Sequence, residues 1–485
     1  MTKELRRLSI VMLAMFLSLF IATSWIQVIA ADSLAADANN KRTQLDSYEI
    51  QRGSIIAGGT AIASSVPSDD IYQYQRVYQD AAMWAPVTGY FNPALQSRTG
   101  IEEQMDGDLS GLGSNAFFGE IERILSGQPQ QGLSVQLTLD PVVQKAAWDA
   151  LQGYQGAIVA IEPATGRILA MVSTPGYDTN ELASHDADAV NAAYDRLADD
   201  PTNPLYNRAI AGNLNPPGST FKIVVAAAAL ASGEWTMDSE LPNPARYTLP
   251  GTSTSISNAS NSTCGSGETT TIAQALELSC NIPMAELAVE LGDDRIRETA
   301  ERFGFNDELS IPLAVTPSSY PSSLNEPETA LTGFGQGQVT ATPLQMAMVQ
   351  AGIANDGVVM TPRMVDRVIG DDFAVHREYD DTVYQQALDA DDASQIIQAL
   401  VEGVDSGAAT GARIDGVDVA GKTGTAQNGD TRPYTLWFTG SAPADNPQVA
   451  VAVVVEDGGG QGQSGSGNGI AAPIAKKVIE AVLGR

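Results

Sequence analysis

Histidine is almost absent from this chain, which has 2 in 485 residues. A serine hydrolase with a histidine base needs that base close to its nucleophile. His185 and His376 both lie in acidic segments, so neither is a good candidate. The sequence also lacks a His-x-x-x-His pair and paired-cysteine spacing, and we predict no metal site. We expect no cofactor either, because the glycine-rich stretch 461–469 has no phosphate-binding lysine and is more typical of a mobile hairpin loop.

Basic residues are also scarce. The chain has 27 Lys and Arg against 58 Asp and Glu, which gives a net charge of −31. Such a charge repels phosphate backbones and argues against binding to nucleic acid. It is otherwise explained by solubility, or by a salty or wall-associated setting, and it identifies no partner by itself.

The sequence contains a single long hydrophobic run, residues 8–31, which carries no charge. As a helix it would be about 36 Å long, enough to span a bilayer. Lys3, Arg6 and Arg7 precede it, so residues 1–7 are predicted to be a cytoplasmic tail and the chain after Asp32 to be outside. The run exceeds the usual core of a cleaved signal peptide, which favours an uncleaved anchor in the cytoplasmic membrane. One span also argues against a transporter or channel.

Cysteine is limited to Cys264 and Cys280, both in the exported part of the chain. Disulfides persist there, and a bridge across this short loop would stabilise the fold by about 3 kcal/mol. The sequence supplies no Cα–Cα distance, so a disulfide and two free thiols both remain open.

The pattern of apolar and polar residues in the exported part changes at about residue 130. Residues 32–130 begin with a polar stalk and show no catalytic cluster, and we predict a small β-rich pedestal there. From residue 131, strand-like segments (133–139, 156–162, 166–172 and 449–455) lie at both ends of a helical stretch. This pattern predicts one α+β domain, residues 131–485, whose sheet gathers the two ends.

The first chemical motif is Ser219-Thr220-Phe221-Lys222, which leads into the apolar run 222–231. Ser219 and Lys222 would share one helix face, one turn apart. Burial lowers the pKa of an amine and so allows Lys222 to accept a proton from the hydroxyl at neutral pH. Alone, however, Ser-x-x-Lys is common and also fits a capping serine followed by a surface lysine.

Two further motifs follow in order. Ser279-Cys280-Asn281 ends a helical pattern, and its hydroxyl and amide could relay a proton and hold a carbonyl, although helix termination explains it equally well. Lys422-Thr423-Gly424-Thr425 ends a strand-like run and suits an anionic carboxylate, the alternative being a polar hairpin edge.

Together, the three motifs form a specific signature of penicillin-binding proteins and class A β-lactamases. The chain resembles the class B penicillin-binding proteins over essentially its whole length, most closely the small penicillin-binding protein A type. The other segments that carry this resemblance are Arg52-Gly53, Gly100-Ile101-Glu102, 156–175, 207–209, 334–337, 342–347 and 437–440.

The resemblance implies a serine β-lactamase-like transpeptidase domain with an antiparallel sheet flanked by helices, together with an anchor and a pedestal or dimerisation-like domain. It implies a D,D-transpeptidase that cross-links peptidoglycan stem peptides, is acylated by β-lactams and serves wall synthesis, cell shape or division. A glycosyltransferase of the wall machinery is an expected partner.

The resemblance also implies roles for the motif residues. Ser219 would be the nucleophile, Lys222 its base and Ser279 a proton shuttle to the leaving amine. Asn281 would bind the donor's amide, and the strand motif would hold its carboxylate through Lys422, Thr423 and Thr425 around Gly424.

Two departures from the family pattern stand out. Cys280 occupies the middle of the second motif, so a bridge to Cys264 would tether the rim of the site. Thr435 and Leu436 stand where a histidine often precedes the Trp-Phe pair.

Three other functions are compatible with parts of this pattern. A β-lactamase would need a second base for deacylation, and none is evident. A D,D-carboxypeptidase differs only in passing the acyl group to water. A non-catalytic β-lactam sensor or scaffold would keep the fold, although the complete motifs favour catalysis.

Overall fold

The computed structural model describes residues 2–30, 50–111, 131–212 and 214–485. Helix α1 (Thr2–Ser24) continues as a π-helical turn, Trp25–Ile29. The stretch Lys3–Gln27 is long and apolar enough to cross a membrane, and an 18-residue window within it has a mean hydropathy of 2.1. The predicted stalk, residues 32–47, lies outside the described residues.

A six-stranded sheet forms the core of the region that follows α1. Its strand order is β15-β14-β6-β1-β2-β3, and β1 runs parallel to β6 while the other pairs are antiparallel. The elements up to β6 are β1 (Ile55–Ala57), β2 (Thr60–Pro67), β3 (Tyr74–Tyr78), α2 (Ala81–Thr88), β4 (Phe91–Asn92), β5 (Ser97–Arg98), α3 (Gly100–Gln104), α4 (Asp106–Leu109) and β6 (Ser134–Leu137).

Strands β14 (Val365–Ile369) and β15 (Val375–Glu378) come from far along the chain and complete this sheet. The N-terminal region therefore shares a hydrogen-bonded sheet with a hairpin of the C-terminal region. The domain boundary at 130/131 stays a prediction from the sequence pattern, since this sheet contains strands from both sides of it.

A buried ion-pair cluster explains two segments that were singled out from the sequence. Arg52 donates to Glu102 and to Asp106, both at 2.6 Å, and Arg76 donates to the other oxygen of Glu102 at 2.6 Å. The Tyr78 hydroxyl adds a bond to Glu102 at 3.2 Å. A buried carboxylate is tolerated only when it is paired in this way, so these residues fix α3 against the sheet.

The C-terminal region is built around a second, five-stranded antiparallel sheet of order β17-β18-β19-β7-β8. Its strands are β7 (Gly156–Ile161), β8 (Ile168–Thr174), β17 (Ala420–Ala426), β18 (Thr435–Ala442) and β19 (Val449–Val455). Every residue of β19 is buried, and β19 is the central strand. The α+β class and the sheet gathered from both ends of the domain are confirmed.

Helices cover both faces of this sheet, and short strands occur between some of these helices along the chain. The helices are α5 (Pro141–Leu151), α6 (Thr179–Ala183), α7 (Ala187–Ala198), α8 (Lys222–Ala231), α9 (Ile272–Glu277), α10 (Ile282–Leu291), α11 (Asp293–Arg302), α12 (Glu326–Thr332), α13 (Pro343–Ala354), α14 (Ala390–Asp405) and α15 (Ala471–Val482). The short strands are β9 (Glu240–Pro242), β10 (Tyr247–Thr248), β11 (Ser255–Ile256), β12 (Thr269–Thr271), β13 (Val358–Met360) and β16 (Val383–Gln386).

The glycine-rich stretch 461–469 does not close a hairpin, so that prediction was wrong. It is part of the connection 456–470 between β19 and α15, which contains two short 3-10 turns, Asp457–Gly460 and Gly462–Ser464. A Cβ on Gly467 would lie 2.4 Å from the carbonyl oxygen of Gly424. Glycine is therefore required there by close packing against β17, and the sequence pattern alone could not distinguish packing from mobility.

Candidate active site

The turn that carries Ser219 is a 3-10 helix, Gly218–Phe221, which runs directly into α8. Gly218 adopts φ +56°, which glycine accepts without steric cost, and its N–H donates to the carbonyl of Gly335 at 2.9 Å. The Thr220 hydroxyl closes the turn by donating to the carbonyl of Pro217 at 2.7 Å. Ser219 is thereby held half-buried at the N-terminal end of an apolar helix that is buried from Lys222 to Leu230.

Lys222 is completely buried, one turn into the helix from Ser219. Its Nζ donates to the carbonyl oxygen of Ser279 at 2.7 Å and to Oδ1 of Asn281 at 2.9 Å. Burial, and then the charge of Lys422, hold the pKa of Lys222 well below its usual value. The amine is therefore neutral over a pH range in which an exposed lysine is charged.

Lys422 reaches the same motif from β17. Its Nζ donates to Oγ of Ser279 at 2.5 Å and to the carbonyl of Thr423 at 3.2 Å. Burial lowers the pKa of Lys422 to about 7. Ser279 adopts φ +61°, an uncommon conformation for a residue with a side chain. In this conformation its carbonyl faces one lysine while its hydroxyl faces the other.

Asn281 is held by the segment that follows β11. Its Nδ2 donates to the carbonyl of Ser257 at 3.2 Å, and its backbone N–H donates to Oδ1 of Asn258 at 2.8 Å. Asn281 also directly precedes α10, so the second motif links two helices and both lysines.

Strand β17 packs directly against the Ser219 turn. A Cβ on Gly424 would lie 2.9 Å from the carbonyl oxygen of Pro217, so only glycine allows this approach. Thr425 is exposed, and its Oγ1 accepts from the N–H of Gly467 at 3.2 Å. The Thr423 hydroxyl instead donates to the carbonyl of Ala408 at 3.1 Å.

Thr435, at the position where the family pattern often has a histidine, is buried at the start of β18, opposite Ala426 of β17. Its hydroxyl donates to Oδ1 of Asn215 at 3.2 Å and accepts from Nδ2 of Asn428 at 2.9 Å. Asn215 in turn donates to Glu456, whose carboxylate also pairs with the buried Arg208 at 3.0 Å. A threonine thus joins a hydrogen-bonded network at this place.

Cys264 and Cys280 form a disulfide with a Cα–Cα distance of 5.7 Å. The bridge fastens the loop after β11 to the middle of the second motif. Asn243 supports the other end of the bridge, because its side chain accepts from the N–H of Cys264 at 2.6 Å and donates to the carbonyl of the same residue at 3.0 Å.

The structure brings all three sequence motifs together. Lys222, Ser279, Asn281 and Lys422 form one hydrogen-bonded group, and the Ser219 turn lies against Gly424. Sequence reasoning missed Ser257, Asn258 and Gly467, which hold the motif residues from outside. Asn258 lies in the polar run Ser-Asn-Ala-Ser-Asn-Ser, where nothing distinguishes it from a loop asparagine.

Chemically, the arrangement offers a hydroxyl at a helix N-terminus, a neutral buried amine one turn deeper and, on the neighbouring strand, a second buried lysine whose pKa is about 7. Such a set is suited to acyl transfer from a substrate with an anionic end. In the described parts of the chain, no group of three or more His, Cys, Asp or Glu side chains is arranged to hold a metal ion.

Family models match two parts of the chain. Residues 156–480 match the penicillin binding protein transpeptidase domain, and residues 52–135 match the penicillin binding protein A dimerisation domain.

Whole-chain relatives are similar in sequence. The chain is 39% identical to peptidoglycan D,D-transpeptidase PbpA of Mycolicibacterium smegmatis, covering 100% of this chain and 99% of the relative. It is 38% identical to PbpA of Mycobacterium tuberculosis strain H37Rv over the same shares.

Solved structures are similar in fold. Penicillin-binding protein A from M. tuberculosis as a ceftriaxone acyl-enzyme complex gives a TM-score of 0.87 at 38% identity, over 90% of this chain and 100% of that one. The penicillin G acyl-enzyme complex of the same protein gives 0.84 at 37% identity, over the same shares.

Proposed function

This chain belongs to the penicillin-binding protein transpeptidase family and is a peptidoglycan D,D-transpeptidase, and we propose that it works through an acyl-enzyme on Ser219. In the reaction, Ser219 Oγ attacks the carbonyl of the penultimate D-Ala of a stem peptide. The bond to the terminal D-Ala breaks and that residue leaves. An amine from a second stem then attacks the ester, which forms the cross-link and frees Ser219.

The observation that carries this proposal is the state of Lys222. A neutral lysine amine has two hydrogens and one lone pair. The two hydrogen bonds that Nζ donates, to the Ser279 carbonyl and the Asn281 amide oxygen, use both hydrogens. The lone pair is the remaining position on nitrogen, and it is available for the proton of Ser219. Lys222 is therefore proposed as the base for acylation.

Ser279 is proposed as the group that hands a proton to the leaving amine. Its Oγ accepts a hydrogen from Lys422 at 2.5 Å, so its own proton is free to point towards substrate. With a pKa of about 7, Lys422 can replace the proton that Ser279 gives up.

The donor peptide is proposed to bind along β17. Asn281 has a second Nδ2 hydrogen, beyond the one given to Ser257, for the donor's amide carbonyl. Lys422 and the Thr425 hydroxyl would hold the terminal carboxylate, joined by Thr423 once it releases the carbonyl of Ala408. Gly424 lets the peptide approach the strand closely.

Backbone N–H groups of Ser219 and Thr425 would stabilise the oxyanion of the tetrahedral intermediate. Loss of such a donor typically costs about 100- to 1000-fold in rate. A β-lactam would enter the same site as a mimic of the donor and remain attached to Ser219, as in the acyl-enzyme complexes of the M. tuberculosis protein.

We also propose that α1 anchors the protein in the cytoplasmic membrane with residues 1–7 inside. The helix is long and apolar enough, and three basic residues lie at its start. This orientation would put the catalytic domain on the side where the wall is built. A wall glycosyltransferase that supplies glycan strands is the proposed protein partner.

Labelling of the purified protein with a fluorescent penicillin tests the acyl-enzyme. Wild type is expected to give one covalent adduct, and Ser219→Ala none. Ser232→Ala is the matched control, because Ser232 lies just beyond the opposite end of the same helix and is expected to label normally. A labelled Ser219→Ala protein would contradict the proposal. Product analysis with a stem peptide and a D-amino-acid acceptor then separates transfer from hydrolysis: a carboxypeptidase would release D-Ala without incorporating the acceptor.

A further inference from the structure

Asn258 is a buried asparagine outside the three motifs, and its side chain makes three hydrogen bonds. Oδ1 accepts from the backbone N–H of Asn281 at 2.8 Å and from that of Ile282 at 3.0 Å. Nδ2 donates to the carbonyl of Ser262 at 2.9 Å. With 3% of its surface exposed, the side chain has no access to water as an alternative partner.

These bonds cap a helix from outside. Ile282 begins α10, and the first N–H groups of a helix have no partner within it. Asn281 makes no side-chain cap of its own, because its Oδ1 is turned to Lys222. The side chain of Asn258 therefore caps the N-terminus of α10, because the side chain of Asn281 is hydrogen-bonded to Lys222 instead.

Ser257, which directly precedes Asn258, fixes the side chain of Asn281. The carbonyl of Ser257 accepts from Nδ2 of Asn281, which leaves Oδ1 as the atom that faces Lys222. The backbone and the amide of Asn281 are thus both set by consecutive residues of one loop. If that loop moved, Asn281 could rotate and Lys222 would lose one of its two acceptors.

We propose that Asn258 is a positioning residue for the acylation step: it fixes the backbone of Asn281 so that the Asn281 oxygen meets the Lys222 amine. The inference rests on the proposed function, in which Lys222 takes the proton of Ser219. Asn258 acts through Asn281 and does not touch the substrate.

The test is stopped-flow acylation of the full-length, detergent-solubilised protein by a fluorescent penicillin. It separates the non-covalent dissociation constant from the first-order acylation constant. Asn258→Ala removes the cap, and we expect the acylation constant to fall about 5- to 30-fold while the dissociation constant changes less than about threefold. Asn258→Asp keeps an acceptor for both N–H groups, and we expect it to recover acylation to within about threefold of wild type.

Asn92→Ala is the matched control. Asn92 is equally buried and also makes three hydrogen bonds, but they hold Leu95, Leu182 and Ser184 and not the second motif or its disulfide. We expect this variant to acylate within about threefold of wild type, although it loses a similar number of bonds.

The possible outcomes distinguish a failure of the proposed function from a failure of the role assigned to Asn258. A wild-type protein that forms no adduct would overturn the proposed function and this inference with it. Wild-type acylation with an unchanged acylation constant in Asn258→Ala would overturn this inference alone. An Asn92→Ala protein as slow as Asn258→Ala, or an Asn258→Asp protein with no recovery, would do the same, because a general loss of native structure would then explain the effect.

Discussion

Gly335 offers a direct way to move the nucleophile without changing any motif residue. An added Cβ at this position would lie 1.9 Å from the carbonyl oxygen of Gly218, the residue before Ser219. Real Cβ atoms essentially never come within 3.0 Å of another heavy atom. In Gly335→Ala, the turn that carries Ser219 must therefore shift by about 1 Å or more, because both contact atoms belong to tightly packed backbone.

A displacement of about 1 Å at a reacting group can lower a rate about 100-fold. We expect the second-order rate constant for acylation of Gly335→Ala by penicillin to fall by about that factor. Gly337→Ala is the control, since Gly337 lies in the same loop with a similar φ, +78° against +70°. Its added Cβ would meet only the Leu331 side chain, at an ordinary 3.4 Å.

Both substitutions place a side chain in a left-handed conformation, which costs about 1–2 kcal/mol in either case. The backbone clash adds to this cost only in Gly335→Ala, so we expect its melting temperature to fall further than that of Gly337→Ala, with the loss of acylation confined to Gly335→Ala. The reasoning would be refuted if Gly335→Ala acylated at the wild-type rate, or if both variants lost the same amount.

Three further outcomes are expected. The free energy of unfolding should rise between pH 7 and pH 10, by up to about 1.4 kcal/mol per pH unit from Lys422, because unfolded Lys422 binds a proton that the folded residue has lost. Denaturant titrations of Lys422→Met should lack that part of the slope, and an unchanged slope would contradict a neutral buried Lys422. The double variant Cys264→Ser, Cys280→Ser should lose about 3 kcal/mol of stability in the same assay under non-reducing conditions, and a loss below about 1 kcal/mol would rule out loop closure as the source. Thr425→Val should slow acylation by penicillin about tenfold and Thr423→Val less than about threefold, since Thr423 must first leave Ala408; the reverse order would refute this assignment.

The local elements could be predicted from the sequence because they follow from residue type and spacing. Asp140 and Pro141 predict the start of α5, and the Asp140 side chain accepts from the N–H groups of Val142 and Val143. The β-branched run 449–455 is a fully buried central strand. In each case the deciding information lies within about ten neighbouring residues.

The membership of the six-stranded sheet could not be predicted in the same way. The alternating segment at 133–139 was assigned to the transpeptidase domain, and β6 lies in the sheet of the N-terminal region instead. Period-two alternation identifies a strand but does not identify its neighbours. Here β6 lies between β1 and β14, which are far from it along the chain.

The sequence by itself determined the chemical groups: a serine and a lysine one helical turn apart, a second serine with an asparagine, and a lysine on a strand. It also determined the long apolar N-terminal helix and the α+β class, since composition and periodicity are local properties. Only the tertiary structure decided that Ser279 turns its carbonyl to Lys222 and its hydroxyl to Lys422, and that Asn258 holds Asn281. These contacts join residues tens to more than a hundred positions apart, and their geometry depends on how whole helices and strands pack.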